Sequence, residues 1–141
     1  MAGPIQIEIV TPEKIVVQDE AQIVMAPGIM GEFGVLIGHT PFLTALKAGP
    51  VHYTDAQGAE HFVFVSGGFA EALPNKVTIL AESAERRRDI DVERARAALE
   101  RAQKRLAEVR AKDEVDFARA QAALHRAIIR LQIAEGRSQQ H

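Results

Sequence analysis

The chain has 141 residues, 47% of them hydrophobic and 26% charged. That is room for one typical domain or two very small ones, in ordinary globular proportions that exclude wholesale disorder. There is no cysteine, which excludes disulfides, thiolate metal sites and a cysteine nucleophile. The net charge of -2 conceals a split: residues 1–85 carry three Lys/Arg against ten Asp/Glu (-7), and residues 86–141 carry fourteen against nine (+5). Such halves are expected to meet different partners.

At the start, Met-Ala-Gly-Pro-Ile-Gln-Ile-Glu has neither the basic region nor the apolar core of a secretory signal. No apolar run approaches the roughly 20 residues that span a bilayer. The sequence therefore predicts a soluble, intracellular chain with no direct membrane insertion. All six prolines and nine of the ten glycines precede residue 75, so the first part should be strands and turns. Ile5-Gln6-Ile7-Glu8-Ile9 alternates with period two, as a strand buried on one face does. Thr11-Pro12-Glu13 turns the chain into a second run, Lys14–Val17, and Ala21–Ala26 reads as a third, stopped by Pro27-Gly28. Further strands are predicted at Gly34–Leu36, Leu43–Ala48, Val51–Thr54, Glu60–Val65, Gly68–Leu73 and Val77–Ala81, with a hairpin turn at Asp55-Ala56-Gln57-Gly58. No helical pattern separates them, so the expectation is an antiparallel sandwich or small barrel.

After Asp91 the rhythm changes. Val92, Ala95, Leu99, Ala102, Leu106 and Val109 recur at helical spacing, as do Phe117, Ala120, Leu124, Ala127, Leu131 and Ala134. Asp91 should cap the first helix, with Ile90 as a hydrophobic staple, and Asp113 the second, with Asp116 in its first turn. A short connection near Ala111–Lys112 predicts an antiparallel hairpin with a thin alanine seam. Alanine buries little apolar area, so the hairpin should be marginal alone and easy to open. Ile128, Ile129 and Ile133 form a second apolar stripe, which needs either the sandwich or a partner. The fold class is thus α+β: an N-terminal antiparallel β-sandwich (1–85) followed by a C-terminal antiparallel α-helical hairpin (86–141).

Catalytic patterns are missing. The five histidines form no metal-binding spacing, although His52 and His61 could face each other across a hairpin. Ser66, in Val65-Ser66-Gly67-Gly68-Phe69, lacks the strand–turn–helix setting of a nucleophile elbow and reads as a tight turn. Gly28 to Gly34 lacks the Lys-Ser/Thr ending of a phosphate loop. Glu93, Glu100 and Glu108 interrupt the basic field of the helices, and no aromatic platform accompanies it, which argues against nucleic acid. Arg94 and Arg101 share one face of the first helix, and Arg126 and Arg130 share one face of the second. In an antiparallel pair, Arg126 and Arg130 return towards Asp91 and Arg94. The cluster is either an anion site at a helix N-terminus or a set of solvated arginines paired with Glu93 and Glu100.

Several segments together carry a resemblance. They are Ile9-Val10-Thr11-Pro12-Glu13, Gly31-Glu32-Phe33-Gly34-Val35-Leu36, Gly38-His39-Thr40-Pro41, Leu46-x-x-Gly49, Ser66-Gly67-Gly68-Phe69 and Ile79-Leu80-Ala81-Glu82-x-Ala84-Glu85. In order and spacing the chain resembles the ε subunits of bacterial F-type ATP synthases over its whole length, departing at Ile37, where the family commonly has proline. The resemblance implies a non-catalytic rotor subunit. Its sandwich would bind the γ subunit and the ring of c subunits, with Glu32 and His39 in the interface segment. Its helices would form a regulatory arm that reaches the catalytic α and β subunits and blocks ATP hydrolysis. It implies a peripheral place at the cytoplasmic face of the bacterial inner membrane. Ile90-Asp91-Val92-Glu93-Arg94-Ala95 matches the motif with which some members bind ATP as a regulatory ligand. Glu85, Arg101, Arg126 and Arg130 fall at the companion positions. A rival reading is a free-standing nucleotide- or anion-sensing domain outside any rotary complex.

Overall fold

The computed structural model describes residues 3–108 and 113–136. The chain forms two compact units, Met1–Arg87 and Arg88–His141, so the division falls just past the boundary at 85 drawn from composition.

The first unit is a nine-stranded sheet folded over itself: β1 (Ile5–Val10), β2 (Ile15–Gly28), β3 (Gly31–Leu36), β4 (Phe42–Leu46), β5 (Gly49–Asp55), β6 (Glu60–Val65), β7 (Gly68–Leu73), β8 (Lys76–Ala81) and β9 (Ala84–Arg86). The strand order is β1-β8-β7-β4-β2-β5-β6-β9, with β3 on β2 and a closing pair β1–β2. All pairs are antiparallel except β1 with β8. β2 serves both layers: its first part pairs with β1, and its second with β3 and β5. The sequence breaks this strand in two because Gln18-Asp19-Glu20 looks like a polar turn. Instead, Val17 and Ala21 face the core across those residues, and the register shifts between Ala21 and Ile23. Such a bulge lets one strand bend from layer to layer.

Alternation fills the core. Ile5, Ile7 and Ile9 of β1, Val77 and Ile79 of β8, and Val24, Val35, Val51 and Val65 are fully buried, each contributing about 1.5–3 kcal/mol relative to exposure. Every buried member of this cluster lies between Ile5 and Ala81, with Ala84 packed on its edge. The loop Ser66-Gly67 is a tight turn: the Ser66 hydroxyl accepts from the Ser83 backbone N–H at 3.0 Å and faces the Ser83 carbonyl at 3.3 Å. Ile37, at the family's proline position, packs half-buried against the core.

A short 3-10 turn (Arg87–Asp89) carries the chain into the second unit, which holds α1 (Val92–Glu108) and α2 (Glu114–Ala134). The Asp91 carboxylate accepts from the Arg94 N–H at 3.0 Å, and the Asp113 carboxylate from the Asp116 N–H at 3.2 Å. Both are N-caps that satisfy orphan donors of the first turn. The predicted connection at Ala111–Lys112 lies outside the described residues, as does Val109. Ala95, Ala102, Ala120 and Ala127 are buried along the seam, while Ala134 is half-buried. Of the second stripe, Ile129 and Ile133 are buried and Ile128 is 38% exposed.

Candidate functional site

The hairpin presents a basic side. Arg101 and Arg105 of α1 and Arg119 of α2 line one cleft between the helices, which fixes those two helix sides as facing the same way. Arg94, Arg101 and Arg105 have the spacing 7 and 4, and so do Arg119, Arg126 and Arg130. Helical periodicity therefore puts all six on that side. Four of them, Arg94, Arg101, Arg126 and Arg130, are expected from sequence. Arg105 and Arg119 are added by the structure, although the repeated spacing already carried the signal. Arg126 and Arg130 are half-buried, whereas Arg94 and Arg101 are exposed. Arg101 sits with Arg119 towards the Glu108 and Glu114 ends of the helices, not with Arg126 and Arg130. Arg105 Nη2 lies 3.9 Å from Asp116 Oδ1, an exposed pair of little net worth. Asp91 is exposed at the N-cap. Glu85 belongs to the first unit, half-buried on β9 opposite Phe64.

On the sandwich, Glu32 stands on β3 with Oε2 at 3.3 Å from Nε2 of His52, a partner twenty residues away in sequence. His52 does not face His61. Its register partner is Phe62, with the rings stacked at 5.3 Å, and His61 pairs with Tyr53 at 4.8 Å. A one-residue offset in a pleated pair sends the two histidines to opposite faces. Arg87 lies over the other aromatic partner, 4.5 Å from the Phe62 ring centroid. His39 follows Gly38, whose φ of +80° requires glycine. Its Nδ1 lies 2.7 Å from the Thr40 carbonyl, so that nitrogen carries the proton and donates. The ring sits 5.1 Å from Phe42, which meets Phe33 edge to face at the same distance. Outward from these strands, Leu43, Phe69 and Leu80 are 70%, 56% and 55% exposed. Phe69 is opposite both Ala45 and Leu80. An apolar face of this kind marks a contact surface. Sequence alternation alone misses it, because these strands are apolar on both sides.

At the tip of the β5–β6 hairpin, the Asp55 carboxylate accepts the N–H groups of Gln57 and Ala59 at 2.9 Å and meets His61 Nε2 at 2.7 Å. The His61 hydrogen bond, followed by the Ala59 N–H, holds the Asp55 carboxyl below its usual 3.8. Nearby, the Tyr53 hydroxyl donates to Asp19 Oδ2 at 3.0 Å, and burial together with that bond pushes the phenol upward. A depressed carboxyl adds stability that is complete above its unfolded pKa and is lost as pH falls through the lower folded value. The urea midpoint of the wild type should thus fall more steeply on acidification below 3.8 than that of Asp55→Asn; parallel curves would remove this contribution.

These features define a class, a β-sandwich continued by an antiparallel helical hairpin with an arginine-lined side. The family described as ATP synthase, Delta/Epsilon chain, matches through its beta-sandwich domain over residues 4–87 and its long alpha-helix domain over residues 88–135. The chain belongs to that family, among the epsilon chains of the F-type enzyme. It is 63% identical over 106 residues to the ATP synthase epsilon chain of Desulfosudis oleivorans, covering 75% of this chain and 80% of that one. It is 55% identical over 135 residues to the epsilon chain of Syntrophobacter fumaroxidans, covering 96% and 98%. A chain in the cryo-EM structure of Euglena gracilis mitochondrial ATP synthase (OSCP/F1/c-ring) shares the fold, with a TM-score of 0.77, 22% identity and coverage of 99% of this chain and 83% of that one.

Proposed function

We propose that the chain is a non-catalytic, central-stalk rotor subunit of an F-type ATP synthase. Its sandwich joins the γ subunit to the proton-translocating c-ring, and its hairpin restrains ATP hydrolysis by engaging the α and β subunits and responds to ATP. The observation that carries this reading is the division of labour between the units. The sandwich has a buried cluster of its own and an exposed apolar face through Leu43, Phe69 and Leu80. The hairpin has an alanine seam and an arginine side suited to acidic surfaces or phosphates. No helix of the described residues is long and apolar enough to cross a membrane, which agrees with peripheral attachment at the cytoplasmic face of the bacterial inner membrane. The free-standing sensor finds less support, since the Syntrophobacter fumaroxidans epsilon chain is matched over 98% of its length.

Deleting the residues after Arg88 tests the proposal in the reconstituted enzyme. Assembly with γ should persist, because the main buried cluster of the sandwich is drawn from its own strands. ATP hydrolysis should rise about fivefold or more, the lower range of a regulatory coupling. Unchanged hydrolysis would remove the inhibitory role, and elution of the full chain apart from γ would remove the rotor assignment.

A further inference from the structure

Where β2, β5 and β6 meet, Val17 and Ala21, Val51 and Tyr53, and Val63 face the core and are 2% exposed or less. Alternation continues that face to Asp19 of β2, between Val17 and Ala21, to Asp55 at the end of β5, and to His61 of β6. Three side chains able to ligate a metal thus replace apolar ones at the rim of the core, and all three are half-buried. One donor atom of each lies within 4.8 Å of the other two. No spacing in the sequence announces the group, because it comes from three strands. Only the pairing of Ala21 with Asp55 and of Tyr53 with His61 brings its members together. Asp55 Oδ1 takes the Gln57 and Ala59 N–H groups, which turns Oδ2 to His61 Nε2 at 2.7 Å. Asp19 takes one bond on each oxygen, from the Glu20 N–H at 2.8 Å and the Tyr53 hydroxyl at 3.0 Å. An ionised carboxylate has about four acceptor positions, so both keep capacity for a cation. The buried Tyr53 orients Asp19, as outer groups orient ligands around metal centres. Arg86 brings one positive charge near Tyr53, but its Nε donates to the Val16 carbonyl at 2.9 Å, and two carboxylates outweigh one guanidinium.

We propose that Asp19, Asp55 and His61 form a site for a divalent first-row transition ion of the Zn²⁺ type. The imidazole selects such ions over Mg²⁺ and Ca²⁺, which favour oxygen ligands alone. Tetrahedral zinc with ligands at about 2.0–2.2 Å holds neighbouring ligand atoms about 3.4 Å apart. That distance falls between the 2.7 Å of the His61–Asp55 bond and the 4.8 Å span of the group, so small rotations of partly exposed side chains complete the geometry. Water supplies the remaining position on the solvent side. The ion ties the tip of the β5–β6 hairpin to β2 just before its bulge, and by binding only the folded sandwich it stabilises it by mass action. The site is independent of the rotor assignment.

The test is a calorimetric titration of the full chain, free of added histidines, with Zn²⁺, Mg²⁺ and Ca²⁺ in turn, beside melting curves and histidine-ring NMR spectra. The His61 ring resonances should move with the first equivalent of Zn²⁺, and the melting temperature should rise. Mg²⁺ and Ca²⁺ should bind at least about tenfold more weakly. His61→Gln and Asp19→Asn should each weaken Zn²⁺ about a hundredfold, the upper end of what an outer-group change costs. His52 meets Glu32 at 3.3 Å on the other face of the strands, a histidine–carboxylate pair outside the group, so His52→Gln is the control and should bind as wild type does. Far-UV dichroism without metal checks that each variant folds. Should one fail to fold, the ring spectra of the wild type still decide, since unmoved His61 resonances at saturating Zn²⁺ would overturn the site. Equal weakening in His61→Gln and His52→Gln, Mg²⁺ binding as tight as Zn²⁺, or no binding at millimolar Zn²⁺ would each overturn it too.

Discussion

Gly68→Ala should lower the melting temperature of the sandwich by about 20 °C or more, whereas Gly58→Ala should lower it by only a fraction of that. Gly68 opens β7 at φ +140°, and a Cβ there would overlap the Leu80 carbonyl oxygen and lie 2.9 Å from Ala81 Cα. The strand cannot step aside, because Gly68 is paired with Leu46 of β4 on one edge and Ala81 of β8 on the other. Both obstacles are backbone, so no rotamer change relieves them. Backbone strain of about 1–3 kcal/mol adds to the displacement of a paired strand, giving a total near the exceptional 4–5 kcal/mol. At 4–8 °C per kcal/mol for a unit of this size, the expected shift follows. Gly58, at φ +86° in the β5–β6 turn, has nothing within 4 Å of its Cβ position, so alanine there costs only the left-handed penalty of about 1–2 kcal/mol. Scanning calorimetry of the two variants separates close approach from dihedral strain. Equal shifts would mean that the approach of β8 is not what selects glycine.

The same glycine shows what the sequence carries and what it hides. Ser66-Gly67-Gly68-Phe69 reads as a tight turn from composition, and Gly67 and Gly68 do take positive φ. The obstacle that forbids a side chain, however, belongs to a strand twelve residues further on, which no local reading supplies. Alternation located β1 because it reports a one-sided core, and apolar residues at helical spacing located α1 and α2 for the same reason. β9 escaped because Ala84-Glu85-Arg86 has no apolar alternation; it is a strand by virtue of Val63, Phe64 and Val65 opposite. Capping by Asp91 and Asp113 was legible, being a local hydrogen bond. The Glu32–His52 pair was not, since it depends on β2 lying between β3 and β5. On the hairpin, the spacing of four arginines was visible, but the cleft that adds Arg105 and Arg119 required the register of the two helices.

Arg126→Ala should weaken ATP binding by about one to two decades if ATP is the ligand of the hairpin's open end. The motif Ile90 to Ala95 puts Asp91 at the N-cap of α1, where its own carboxylate accepts the Arg94 N–H, so the phosphates would fall to the arginines. Arg94, Arg126 and Arg130 lie on the same side of the pair by helical spacing, and Arg126 and Arg130 are half-buried. A hydrogen bond to a charged group is worth roughly 1.5–3 kcal/mol, and 1.4 kcal/mol is tenfold in affinity, which gives the expected range. Arg119 has the same charge on the same helix but lines a cleft with Arg101, so it is no neutral reference. Arg96, on the opposite side of α1, is the matched control for loss of charge. Calorimetry with ATP on wild type, Arg126→Ala and Arg96→Ala decides between a built site and solvated arginines. Selective weakening in Arg126→Ala supports the site, while equal affinities in all three, or no heat at millimolar ATP, would return these guanidiniums to Glu93, Glu100 and solvent.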